Sequence, residues 1–177
     1  MGKAASKPIP QPTINAFDAD VPIIPPLVIL ALLAVSFVLA KTFTRYRWLP
    51  DELASLGVRL ALFASMMAIS VKMSMSAADE LHGANSGVAF TPVGGIAKSG
   101  LYAYSRNPLY VMAVFVQLPM FGMLFDCAWI IYSAFALFVY LSVWVIPGEE
   151  AFLLRNYGEA YETYLNSTPR WLLPDSD

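Results

Sequence analysis

Charge and reactive side chains are what this chain has least of. Only 14% of its 177 residues are Asp, Glu, Lys or Arg, against about 25% in a soluble domain. The net charge is −2 and no basic stripe is present, which argues against a nucleic-acid partner. The single cysteine, Cys127, excludes an intrachain disulfide and a Cys-based zinc cage, and reads as a small apolar packing residue. The single histidine, His82, lies in Asp79-Glu80-Leu81-His82 and excludes a multi-histidine metal site. What fills the chain instead is apolar. Hydrophobic residues make up 58% and the mean hydropathy is +0.58, the balance of a membrane protein.

Four segments approach the roughly 20 apolar residues that a bilayer core requires: about 23–40, 56–75, 109–125 and 128–146. They predict an all-α integral membrane protein of about four transmembrane helices, one membrane domain over 22–177 behind a polar, Pro-rich segment over 1–21. Lys41, Arg45 and Arg47 end the first span, while Arg59 and Lys72 sit near the ends of the second, where long side chains snorkel. Pro119 removes a backbone bond and predicts a kink in the third. Phe125-Asp126-Cys127 leaves room only for a tight antiparallel hairpin, and Pro147-Gly148 marks the expected end of the fourth span. An amphipathic helix over about 149–165 follows, because Leu153, Tyr157, Tyr161 and Tyr164 recur at three- and four-residue steps. Pro169-Arg170-Trp171-Leu172-Leu173-Pro174 then offers an interfacial anchor.

The apolar run after Val21 is longer than a signal-peptide core, so a cleavable signal is not expected. Met1-Gly-Lys-Ala-Ala-Ser6 fits the N-myristoylation pattern at Gly2. With the N-terminus inside, Lys3, Lys7, Lys72, Lys98, Arg106, Arg155 and Arg170 lie on the cytosolic side and Lys41, Arg45, Arg47 and Arg59 opposite, a count that favours N-inside while the local cluster after the first span pulls the other way. Two crossings separate the 76–108 loop from the C-terminal tail, so both emerge on one membrane face.

That shared face is where the chemistry concentrates. One half is Gly100-Leu-Tyr-Ala-Tyr-Ser-Arg-Asn-Pro-Leu-Tyr110 and the other is Gly148-Glu149-Glu150 with Tyr157-Gly-Glu-Ala-Tyr161. Pro108 suits the first turn of a helix, which puts Arg106 and Asn107 just outside a helix N-terminus, where free N–H groups favour an anion. Arg106 also suits a lipid phosphate. Glu149 and Glu150 suit either the dipole of a first helical turn or a ligand's ammonium or hydroxyls. Gly94-Gly95-Ile96-Ala97-Lys98-Ser99 is not a Walker loop, because Ala97 stands where Gly must precede Lys-Ser.

The pattern Gly100-x-Tyr102-x-x-x-Arg106-Asn107-Pro108-x-Tyr110, then Glu149-Glu150-x-x-Leu153, Tyr157-Gly158-x-x-Tyr161-x-x-Tyr164 and Pro169-Arg170-Trp171, resembles the isoprenylcysteine carboxyl methyltransferase/phospholipid methyltransferase family over about residues 91–174. The resemblance implies a multi-pass membrane enzyme that uses S-adenosylmethionine on a lipophilic, lipid-like or prenylcysteine-like acceptor, with its site facing the cytosol. It implies that Arg106, Asn107, Pro108 and Tyr110 face the methionine carboxylate end and that Glu149 and Glu150 face the amino or ribose end. Tyr102 and Tyr161 would line the pocket, and Arg106 or Arg170 would orient an anionic acceptor as the candidate catalytic residues. Asn107 replaces the family's more usual histidine, and Met112 stands where a glycine is often found. Those departures motivate an alternative, a non-catalytic descendant serving as a subunit of a membrane complex. A nicotinamide-dependent reductase of the sterol-reductase kind is disfavoured, since Val111-Met112 follows Tyr110 where such proteins place Gly-Glu.

Overall fold

The computed structural model describes residues 25–43, 48–53, 55–84 and 95–172. The 1–21 segment with Gly2, Lys3 and Lys7 lies outside them, as do Arg45, Arg47, Leu173 and Pro174. The described residues are helical with no strand. Helix α1 is Pro25–Thr42, α2 Leu56–Gly83, α3 Pro108–Met112, α4 Leu118–Leu124, α5 Ala128–Tyr140, α6 Ile146–Tyr157 and α7 Glu159–Ser167. Among the described residues three helical stretches are long and apolar enough to cross a membrane: Pro25–Thr42, Leu56–Gly83 and Ala128–Tyr157. The fourth apolar stretch, Pro108–Leu124, is shorter. The protein is an all-α membrane protein.

In α1 and α2 the burial pattern is the reverse of a soluble helical protein. The only fully buried residue of α1 is Ser36, and those of α2 are Ser70 and Ala77, while Leu30 of α1 is 63% exposed. Polar groups add to these helix contacts, alongside an apolar core of Leu118, Ile130, Leu137 and Leu141 against which Leu32 and Leu33 of α1 pack. Helix α1 packs on α5, where the Ser36 and Ser133 hydroxyls meet at 2.5 Å. One hydroxyl donates to the other, and the second donates to a carbonyl in its own helix, with Leu32 at 2.8 Å from Ser36 and Trp129 at 3.1 Å from Ser133. Helix α2 packs on α4 and α3, and the Gln117 amide donates to Ser70 at 3.1 Å.

The turn between α4 and α5 is as tight as Phe125-Asp126-Cys127 predicts. Asp126 takes φ +47°, the Cys127 N–H reaches the Gly122 carbonyl at 2.9 Å and the Asp126 N–H reaches Met123 at 3.1 Å, the paired bonds of a Schellman stop. The Asp126 carboxylate in turn accepts from the Trp48 and Leu49 N–H groups, each at 3.2 Å, and Arg59 donates to the Leu124 carbonyl at 3.0 Å. The α1–α2 connection is thus tied to the end of the molecule opposite the polar motifs.

Two boundaries differ from expectation. Helix α2 runs on past residue 75 to Gly83, carrying Glu80 to the motif-bearing end. The fourth span does not stop at Pro147-Gly148; helix continues to Tyr157 and breaks at Gly158, whose φ is +49°, a conformation glycine adopts at no steric cost. The reason Pro147 is tolerated lies just before it. Leu141–Val145 forms a π turn in which the Ile146 N–H bonds the Leu141 carbonyl, and Ala113–Gln117 repeats the device before Pro119, with the Leu118 N–H on Ala113. A proline lacks an N–H and crowds the carbonyl four residues back; the wider turn accommodates both and lets the helix go on.

Candidate functional site

Arg106 enters the site from the short linker between a 3-10 turn, Gly100–Ala103, and α3. Pro108 at the start of α3 fixes that helix's first turn. The backbone N–H of Arg106 bonds the Pro169 carbonyl at 2.9 Å, so the linker is laced to the C-terminal strap. Its guanidinium donates to the Leu165 carbonyl at 2.9 Å and lies 3.4 Å from the Glu150 carboxylate. Glu150, on the first turns of α6, also holds Arg170 through both carboxylate oxygens, at 2.6 and 3.3 Å. Arg106 and Glu150 are each 8% exposed. A buried carboxylate thus sits between two guanidinium groups drawn from segments far apart in sequence.

The other expected residues fall around this cluster. Glu149 accepts the Tyr110 hydroxyl at 2.7 Å. Tyr102 and Tyr161 are buried, and the Tyr161 phenol lies within electrostatic reach of Glu150 and Arg106. The Asn107 amide donates to the Arg170 carbonyl at 3.0 Å, so this side chain fastens the strap. The geometry therefore draws Tyr102, Arg106, Asn107, Pro108, Tyr110, Glu149, Glu150, Tyr161 and Arg170 to one end of the helices. Arg106 faces Glu150 across the fold, not outward from the start of α3.

Three contributors were given no role from the sequence as residues of the site, although Tyr164 and Trp171 stood in its motifs. Ser105 is 1% exposed; its hydroxyl donates to the Arg170 carbonyl at 3.2 Å and accepts the Asn107 N–H at 3.1 Å. Tyr164 donates to the Tyr102 carbonyl at 2.7 Å, which docks α7 on the 3-10 turn. Its place three residues after Tyr161 hinted at a shared face but not at this partner. Trp171, expected as an interfacial anchor, lies against Phe138 at 4.9 Å between ring centroids and against Phe115 at 5.9 Å.

Burial dominates the ionisation of the tyrosines outside the spans. It raises the Tyr102 and Tyr161 phenols well above the usual range, with help from Tyr164 and the nearby carboxylates. It pushes Tyr164 up to about 12, against the opposing pull of Arg106. All three are neutral at physiological pH, and Tyr164 donates its hydroxyl to the Tyr102 carbonyl.

The helical membrane domain is the one the sequence anticipated, and it carries both motif segments at one end; the Arg106–Glu150–Arg170 pairing was not foreseen. The phospholipid methyltransferase family model matches residues 56–160, more than half of the chain, and the chain belongs to that family. No curated protein and no solved structure matches it.

Proposed function

We propose that the protein is a membrane-embedded methyltransferase that transfers a methyl group from S-adenosylmethionine to a lipid-like or prenylcysteine-like acceptor. The observation that carries this reading is the convergence of Arg106, Glu150 and Arg170, with Arg106 and Glu150 buried. Ionisable groups held inside a membrane protein are costly and mark function by default. The donor set suits the cofactor. Two guanidinium groups match a methionine carboxylate, Glu149 and Glu150 match its ammonium or the ribose hydroxyls, and Tyr102, Tyr110 and Tyr161 offer aromatic walls.

When bound, the cofactor supplies a methyl group already activated on a sulfonium, so alignment and dryness are what the protein must add. Arg106 and Arg170 orient carboxylate groups by forked donation. The Tyr110 hydroxyl holds one Glu149 oxygen and leaves the other for a ligand donor. Trp171 on Phe138 and Phe115 seals the strap against the apolar helices. A carboxylate or thiolate acceptor needs no general base, so an asparagine at 107 is compatible with transfer. The apolar helices beneath the site favour an acceptor that partitions into membrane lipid, and the charge count favours a cytosol-facing site.

The test incubates membranes with isotope-labelled methyl donor and asks whether label enters lipid, protein or a volatile product, with Arg106→Ala as control. Label above that control supports the reading. Calorimetric affinity for S-adenosylhomocysteine left unchanged by Arg106→Ala and Glu150→Ala would refute the site.

One observation favours the alternative of a non-catalytic subunit: the Asn107 amide is spent on the Arg170 carbonyl. Co-purification with membrane-protein partners at fixed stoichiometry, without cofactor binding, would shift the assignment to that role.

A further inference from the structure

We propose that Glu80, near the end of α2, is a positioning residue for the methyl-donor site, acting through the Ser99–Tyr102 turn. The inference rests on the methyltransferase reading and extends it to a helix whose sequence pattern offered no site residue.

The Ser99 hydroxyl donates to the Glu80 carboxylate. The next residue, Gly100, adopts φ +56°, and the space a Cβ would occupy there is taken by that same carboxylate. Only glycine meets both conditions, a left-handed backbone and a carboxylate pressed against the α-carbon. From this fixed point the chain turns at once. The Tyr102 N–H bonds the Ser99 carbonyl at 3.0 Å, and the Ser105 N–H bonds Leu101 at 3.3 Å. The Tyr102 ring is buried in a small apolar cluster with Ala77 of α2 and Ala97.

Tyr102 is also where the turn meets the donor site. Its carbonyl receives the Tyr164 hydroxyl at 2.7 Å, and its phenol lies within electrostatic reach of both Glu80 and Glu149. A continuous path therefore runs from Glu80 through Ser99 and Gly100 to Tyr102, then to α7 and the strap that carries Arg170. Loosening its first link frees the turn and lowers the order of the wall that Tyr102 and Tyr161 build. Glu80 itself touches neither Arg106 nor Glu150 in any described contact, so its effect falls on donor affinity and not on the chemical step.

The experiment uses the full chain in detergent, with S-adenosylhomocysteine as the probe. Glu80→Ala and Ser99→Ala are expected to weaken its binding about five- to tenfold, the size of one lost hydrogen bond. Methyl-donor KM should rise with kcat within about twofold. Glu80→Gln, which keeps an acceptor at the same reach, should restore affinity. Hydrogen exchange at the Tyr102–Ser105 amides should quicken in Glu80→Ala and not in Glu80→Gln. This last readout needs no donor and separates two failures. Absent S-adenosylhomocysteine binding in the wild type would sink the methyltransferase reading and the donor role with it. Normal wild-type binding, with affinity and exchange unchanged in Glu80→Ala and Ser99→Ala, would overturn this inference alone.

Discussion

Arg170 grips Glu150 through both carboxylate oxygens, at 2.6 and 3.3 Å, and so fastens the C-terminal strap to α6. The same carboxylate faces Arg106, which makes Glu150 the shared anion of the site. Removing one partner of a buried ion pair strands the others, at a typical cost of about 3–5 kcal/mol. Glu150→Ala is therefore expected to lower the thermal midpoint in detergent more than Arg170→Ala: the first strands the buried Arg106 guanidinium, whereas the second leaves Glu150 still facing Arg106. Equal midpoints in the two variants would contradict the shared-anion geometry.

Tyr164→Phe removes the donor to the Tyr102 carbonyl and nothing else of size. An unsatisfied buried carbonyl costs about 1–3 kcal/mol. Faster proteolysis near α7 is expected, with membrane insertion unchanged. A wild-type cleavage rate would show that α7 docks without this bond.

Tyrosine ionisation gives a pH window. A folded pKa raised above the unfolded value of about 10 stabilises the fold fully below that value and loses its contribution as pH rises through the folded one. With Tyr164 pushed up to about 12, docking of α7 should be flat across neutral pH and fail only in alkali, between about 10 and 12. Tyrosinate absorbance followed beside proteolysis checks the order: cleavage that rises near neutrality would exclude this link.

Pro147→Ala tests the π turn. Removing the ring allows the helix to regain four-residue bonding, and loss of one inserted residue corresponds to about 100° of rotation at 3.6 residues per turn. Helix content by circular dichroism should hold while S-adenosylhomocysteine affinity falls by about tenfold or more, since Glu149 and Glu150 turn away from Tyr110 and Arg106. Retained affinity would mean that packing alone sets the register.

At the buried α1–α5 contact, a double-mutant cycle on Ser36 and Ser133 should report about 0.6–1.7 kcal/mol of coupling, the range of intramembrane hydrogen bonds. Each serine keeps a carbonyl acceptor when the other is removed, so the single variants should be mild. Strict additivity in detergent unfolding would deny the direct contact between the hydroxyls.

The helical membrane class, the tight turn at Asp126 and the two halves of the polar end were legible in the sequence. Hydrophobic length, turn chemistry and motif spacing are local properties, written in consecutive residues. Glu80 escaped notice because Asp79-Glu80-Leu81-His82 read as a loop after an apolar run, although the helix carries it one turn further. The stop expected at Pro147 failed for a related reason: whether a proline ends a helix or rides over a π turn depends on the packing around it.

By itself, then, the sequence determined that this chain lives in a membrane, crosses it as helices and carries its polar motifs to one face. Only the tertiary structure decided which groups meet there. The pairing of Arg170 and Arg106 with Glu150, the use of Asn107 as a fastener for the strap and the reach of Tyr164 to Tyr102 all join residues separated by tens of positions. Such contacts depend on helix rotation and strap closure, which no local pattern encodes.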